Sequence, residues 1–378
     1  MKLDTNQQVF LELLRAGLWE TEVRLLPFGE IDYAAVFKLA EDQSVVGLIA
    51  AGLEHVADVK PQKKDVIQFI GGTMKMELRN TAMNSFIATV TDRMQEAGIH
   101  SVLVKGQGVA QCYERPLWRA CGDVDLLLDH DNYELAKSLL IPQATKVEKE
   151  FSYLKHIGLH FGEWEVELHG HFRSRLSKRV DDELDALCYR CLGEREVRVW
   201  HNNDTNVYLP APDVDVLFSF THFLRHFYFE GVGLRQICDW IRLLYRFHDV
   251  LNLQVLEQRI KRMQLMSEWK AFGTFAVEWL GMQAETMPLY VEGIRWSHKA
   301  ERIVQFVLKV GNFGHNKNNR LSVRVPWIKE SYILRKVVSA WEHLGFVLRH
   351  FPIFPKDSIL FFWQVMRSGI EMAVTTRK

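Results

Sequence analysis

The sequence carries no excess of either charge: across its 378 residues, 47 Lys and Arg balance 47 Asp and Glu. That excludes the global basic field that drives non-specific binding to long nucleic acids. A small molecule, peptide or glycan is therefore the expected partner, and no long polynucleotide. No uninterrupted apolar run reaches membrane-spanning length, so no membrane span is expected. The opening stretch Met1 to Gln8 lacks the charged-then-apolar pattern of a signal peptide. The five cysteines, Cys112, Cys121, Cys188, Cys191 and Cys238, are an odd number in a large chain, which suits a reduced cytoplasm better than a disulfide framework. Cys188 and Cys191 have zinc-like spacing but no second Cys pair follows, so they read as two half-buried thiols on a helix. Internal repeats and low-complexity tracts are absent too.

What is present divides the chain in three. Residues 1–98 show helical periodicity, including a long amphipathic stretch from Lys64 to Ala97. Residues 99–210 favour strands: a β-rich run from Ser101 to Lys105, a hairpin turning at Phe161-Gly162-Glu163, then Val197 to Trp200 and Asn206 to Leu209. Pro210 and Pro212 punctuate the exit, and residues 211–378 return to helix. The expected fold class is α+β, a small mixed β-sheet core flanked by N-terminal and C-terminal helical regions.

The most informative stretch is Gly122-Asp123-Val124-Asp125, running into Leu126-Leu127-Leu128. Strand side chains alternate, so Asp123 and Asp125 point one way while Val124 and Leu126 point into the core. Two like charges held that close repel and are costly to desolvate unless a cation sits between them. Magnesium is the expected ion, because it takes carboxylate oxygens together with substrate phosphates. Upstream, Gly106-Gln107-Gly108 permits a tight turn and close approach of a ligand to backbone N–H groups, and a helix opening over Val109 to Tyr113 would favour an anion at its N-terminus. Downstream, Trp164 to Phe172 alternates strictly, placing Glu165, Glu167, His169 and His171 on one strand face. If that strand lies beside the aspartates, one of its glutamates completes a carboxylate triad. Lys105 and Arg119 read equally as counter-charges for phosphate or as members of structural ion pairs.

Val104-Lys105-Gly106, the block Arg119-Ala120-Cys121-Gly122-Asp123-Val124-Asp125, Glu167-Leu168-His169 and the stretch His222 to Asp239 together resemble a bacterial family of uncharacterised nucleotidyltransferases within the polymerase-β-like superfamily. The resemblance runs from about Tyr33 to about Arg246. It implies transfer of a nucleoside monophosphate from a nucleoside triphosphate to a hydroxyl-bearing acceptor. It further implies Asp123, Asp125 and Glu167 as catalytic groups and ligands for magnesium, with manganese as the alternative ion. Lys105, Gly106, Gln107, Gly108, Arg119 and His169 are the expected nucleotide-binding residues. Two positions depart from the family pattern: the glycine turn is Gly106-Gln107 rather than Gly-Ser or Gly-Gly, and Glu167 stands where Asp is common. The competing classes are a catalytically silent nucleotide-binding or regulatory module of the same fold, and a metal hydrolase built on His169, His171 and the acids.

Three further features call for placement. His222 and His226 lie one helical turn apart and either pack among aromatics or face the cleft, while Arg235 and Asp239 have the spacing of an intrahelical ion pair. The aromatic segment His350 to Trp363 reads as the core contacts of a closing helix, with a partner or membrane-surface site as the alternative. The basic run Arg320 to Val325 reads as an exposed loop and strand.

Overall fold

The computed structural model describes residues 3–59, 61–150, 155–229, 231–311, 345, 348 and 350–363. The chain enters through α1 (Thr5–Trp19), α2 (Tyr33–Asp42), α3 (Val46–Glu54) and the long α4 (Lys63–Glu96). Short polar side chains start several helices by accepting orphan N–H groups. Asp4 and Gln7 form a capping box on α1, and Asp32 accepts from Ala34 and Ala35 at the head of α2. α1 and α3 approach so closely that a Cβ on Gly52 would lie 2.0 Å from the carbonyl oxygen of Leu13. Only glycine fits that crossing.

The sheet follows. β1 (Val102–Val104) leads through the short helix α5 (Gly106–Ala110) to β2 (Val124–Leu127), α6 (His130–Leu140), β3 (Lys146–Val147), β4 (His156–Phe161) and β5 (Trp164–His169). Strand order is β1-β2-β5-β4-β3, with β2 and β5 parallel and the remaining pairs antiparallel. Alternation gives the sheet two different faces. Leu103, Val124, Leu126, Ile157, Leu159, Val166 and Leu168 bury one face against Met83, Ile87, Val90 and Met94 of α4 and Tyr133, Ala136 and Leu140 of α6. The opposite face carries Asp125, Glu167, His169 and His156. After α7 (Lys178–Leu192), a separate hairpin forms from β6 (Val197–Asn202) and β7 (Thr205–Pro210). The chain then runs through α8 (Pro212–Phe229), α9 (Leu234–Phe247), α10 (Leu253–Met263), α11 (Met266–Glu278) and α12 (Ile294–Val310). The architecture is α+β, as the hydrophobic patterning indicates.

Local details differ from expectation. Lys105 adopts φ +57°, which turns the chain at once after β1, so the helix starts on Gly106 and ends at Ala110 instead of spanning Val109 to Tyr113. β5 stops at His169, and the alternation does not carry His171 along the same face. Cys188 and Cys191 do lie on a helix, but both are buried, and burial pushes each thiol up to about 12.

In the aromatic C-terminal segment, His350, Ile353, Phe354 and Phe361 are buried, and their rings meet Phe227, Tyr228, Phe272 and Phe306. Phe351, Ile359, Leu360 and Trp363 of the same segment are exposed, so it is only half packed into the core. The basic run Arg320 to Val325 lies outside the described residues.

The same segment brings Asp357 to the fully buried Glu268 of α11, whose Oε1 accepts from Tyr228 Oη at 2.9 Å, with Lys299 nearby. Burial first, and the charge of Asp357 second, push the Glu268 carboxyl up to about 8. The folded chain thus keeps a proton that the unfolded chain releases near the ordinary value of 4.5, so this contribution to stability falls as pH rises between those values. We expect the melting temperature to decline from about pH 5 to about pH 9, and Glu268→Gln to flatten that decline. Calorimetric melts across this range decide it; an equally steep decline in the variant would assign the effect to other groups.

Candidate functional site

The parallel pairing of β2 with β5 sets the site. Its register places Asp125 opposite Glu167 and Leu127 opposite His169, while Asp123 sits one step before β2 begins. One carboxylate oxygen from each of Asp123, Asp125 and Glu167 falls within a group whose members lie within 4.8 Å of one another. Cations and imidazoles already compensate these acids. Asp125, 1% exposed, receives Lys105 Nζ at 2.7 Å and His169 Nε2 at 2.8 Å, both on Oδ1. Glu167 Oε2 receives His156 Nε2 at 3.1 Å and His169 Nε2 at 3.3 Å.

The charge states follow. The carboxylate of Asp125, then burial, raise the Asp123 carboxyl above its ordinary value. Burial also works against the Glu167 carboxylate, yet the hydrogen bonds from His156 and His169 outweigh it and hold that carboxyl well below the usual range. Burial disfavours the His169 imidazolium, but its bonds to Asp125 and Glu167 prevail and raise it. A site with one carboxyl pushed up and another pushed down has the unequal proton affinities typical of functional acid clusters.

A small cleft of about 60 Å³ opens on Lys105, Asp123 and Asp125, and Glu167 and His169 are not among the residues that line it. Lys105, Gly106, Asp123 and Asp125 form one side; Ser219 and His222 from α8, and Arg235, Gln236 and Asp239 from α9, form the other. The cations of this lining are Lys105, Arg119 and Arg235. Lys105 is held by Asp125, and Arg119 donates to Asp239 through Nε at 3.0 Å and Nη2 at 2.5 Å. Tyr113 Oη donates to the same Asp239 carboxylate at 2.8 Å. Asp239 therefore pairs across the fold, and the expected intrahelical pair with Arg235 does not form. Arg235 instead donates from Nη1 to Ala120 O at 2.9 Å, and its buried Nε has no partner. Burial, then the charge of Arg119, lower the Arg235 guanidinium from its ordinary value. It makes no ion pair among the described residues, though the charges of Asp239 and Asp123 act on it from a distance. His222 stands 3.2 Å from His226, Nε2 to Nε2, and burial, reinforced by Lys105, pushes it well below its ordinary value.

Not every sequence candidate reaches the cleft. Gly106 lines it, whereas Gln107 is buried with its amide 3.8 Å from Met83 Sδ, and a Cβ on Gly108 would meet Leu209 at 2.8 Å. His171 sits away from the acids, in a second cavity with Asp129, Arg173 and Asp185, so the structure does not assemble the set His169, His171 and the acids. Sequence reasoning missed His156, Ser219 and Gln236. The signal for His156 was present in the alternation His156-x-Gly158-x-His160, which β4 presents beside Glu167 and Glu165.

The deciding comparison concerns the whole central part of the chain: a family model described as uncharacterised nucleotidyltransferase matches residues 29–281. The chain belongs to that family. Comparison with curated proteins gives no match. Among solved structures, an antigenic nucleotidyltransferase-like protein from Paracoccidioides brasiliensis aligns at 16% identity and a TM-score of 0.31, covering 49% of this chain and 90% of that chain. Within this nucleotidyltransferase family member, the Arg-x-x-Gly-Asp-x-Asp block and Glu167-Leu168-His169 both fall inside the matched range. Among the described residues no helix is long and apolar enough to cross a membrane.

Proposed function

We propose that the cleft transfers a nucleoside monophosphate from a nucleoside triphosphate to a hydroxyl on a small molecule, peptide or glycan, in the manner of the polymerase-β-like superfamily. The observation that carries this reading is the convergence of Asp123, Asp125 and Glu167 within ligating distance, opposite a guanidinium with no carboxylate partner.

The donor set fits a hard divalent ion: three carboxylate oxygens lie within 4.8 Å of one another, two of them at the edge of the cleft. Asp123, Asp125 and Glu167 would hold magnesium, or manganese in its place, which supplies screening of phosphate charge and a lowered pKa for the acceptor hydroxyl. The protein's own contribution is positioning and electrostatics, which dominate phosphoryl-group chemistry. Arg235 binds phosphate oxygens through the donors it does not spend on Ala120, its planar fork matching their geometry. Lys105 exchanges its contact with Asp125 for a phosphate oxygen when the nucleotide arrives. Gly106 lets the triphosphate approach the backbone. Arg119 keeps α9 against the core through Asp239, and so fixes where Arg235 points. His169 orients Asp125 and Glu167 by bonding to both. We further propose the three-part division 1–98, 99–210 and 211–378, with the last part lending the cleft its far wall, and a cytoplasmic setting.

A screen of the four labelled triphosphates with the purified chain, divalent ion and cell extract tests the reading. Label is expected on an acceptor with stoichiometric pyrophosphate release, dependent on the ion. Tight triphosphate binding without pyrophosphate would instead identify a silent nucleotide-binding module.

A further inference from the structure

We infer that His156, Glu167 and His169 form a three-donor, nitrogen-bearing site for a borderline transition ion of the zinc or cobalt kind, its fourth position left to solvent or substrate, beside the position proposed for magnesium. The inference rests on the preceding reading only in sharing Glu167.

Three observations carry it. The donor atoms already crowd one point: His156 Nε2 and His169 Nε2 lie 3.1 and 3.3 Å from the same Glu167 Oε2, and all three lie within 4.8 Å of one another. A tetrahedral zinc site with bonds of about 2.0–2.2 Å has donor-to-donor edges of about 3.3–3.6 Å, so a small outward relaxation of these side chains admits an ion. The donors also come from stiff elements. His156 and Glu167 belong to paired strands β4 and β5, with His156 directly across from His169. Such a framework fixes three donors without help from a loop. Finally, the chemistry discriminates: imidazole nitrogen suits zinc, cobalt and their neighbours, whereas magnesium prefers an all-oxygen octahedron. The two imidazole rings, with centroids 4.8 Å apart, meet on the Glu167 side of the acids, while Asp123 serves only the oxygen-rich side. Glu167 would bridge the two positions.

The metal itself is the probe. The full chain, stripped with chelator, is titrated with cobalt(II) and followed by visible d–d absorption. One equivalent is expected, with the intense bands of a four- or five-coordinate site; His156→Gln and His169→Gln should each weaken binding about tenfold or more. His160→Gln, in the neighbouring Glu148, His160 and Glu165 cluster, should leave the bands unchanged. Unaltered bands in both His156→Gln and His169→Gln, or loss with His160→Gln instead, overturn the inference. Should a variant fail to fold, X-ray absorption of the cobalt-loaded wild-type protein decides: two imidazole scatterers support the site, and none overturns it. Asp123→Asn separates the two ideas, since it should abolish nucleotide transfer while keeping the cobalt spectrum. Transfer without imidazole scatterers sinks the inference alone, and imidazole scatterers without transfer in the wild-type protein sink the nucleotidyltransfer reading alone.

Discussion

Replacing Asp123 and Asp125 together by Asn should lower kcat for ion-dependent nucleotide transfer by about 10³-fold or more, the several kcal/mol that a correctly held ion supplies to a phosphoryl-transfer barrier. The fold should survive. Asp125 is the main reason that the Asp123 carboxyl is raised, so the two acids repel each other in the folded chain, and neutralising both removes that repulsion. Lys105 loses its partner at 2.7 Å but remains close to Glu167, whose charge also acts on it. Losing that buried pair should lower the melting temperature, but circular dichroism should stay near wild type while pyrophosphate release disappears. Full transfer activity in the double variant would remove these two residues from the chemistry.

The second large effect separates two arginines that sequence alone makes equivalent. Arg235→Gln should raise KM for the triphosphate about 10- to 100-fold, the value of one or two charge-assisted hydrogen bonds to phosphate. It should weaken inhibition by pyrophosphate by a similar factor. Stability should hold or increase, because the variant removes a buried guanidinium whose Nε has no partner and whose charge is opposed by Arg119. Arg119→Gln should do the reverse. It strands Asp239, 7% exposed, without the guanidinium that holds it, and breaking a buried pair in this way costs about 3–5 kcal/mol. Steady-state kinetics with denaturant melts on both variants check the contrast. An unchanged KM and unchanged pyrophosphate inhibition in Arg235→Gln would send the phosphate tail to another wall of the cleft.

Much of the arrangement was legible in the residues themselves. The alternation of Val124, Leu126, Val166 and Leu168 with the acids fixes which groups face the core, because a strand side chain has only two directions to choose from. The turn at Gly162, with φ +62°, and the strands on either side of it are equally local. What could not be read was pairing at a distance. Nothing in Glu167 or its neighbours announces a parallel partner more than forty residues upstream, and only that partner's register puts Glu167 rather than Glu165 beside Asp125. Arg235 and Asp239 show the limit from the other side. Their spacing suits a surface helix pair, but Asp239 is buried, and a buried carboxylate needs well-aligned donors on more than one side. Arg119 and Tyr113 supply them. Local periodicity cannot weigh that desolvation.

The ammonium of Lys105 on Asp125 has a consequence for the order of events. A nest of carboxylates with nothing inside would push its own strands apart during folding, yet here the chain brings its own removable plug, mounted on a backbone turn with φ +57° that aims it inward. If the acids hold an ion as proposed, it must displace that plug from Asp125, so loading of the bare protein would be an exchange and not a simple addition. A polyphosphate gives the evicted amine somewhere to go. On the proposed function, ion and nucleotide would thereby favour each other's binding.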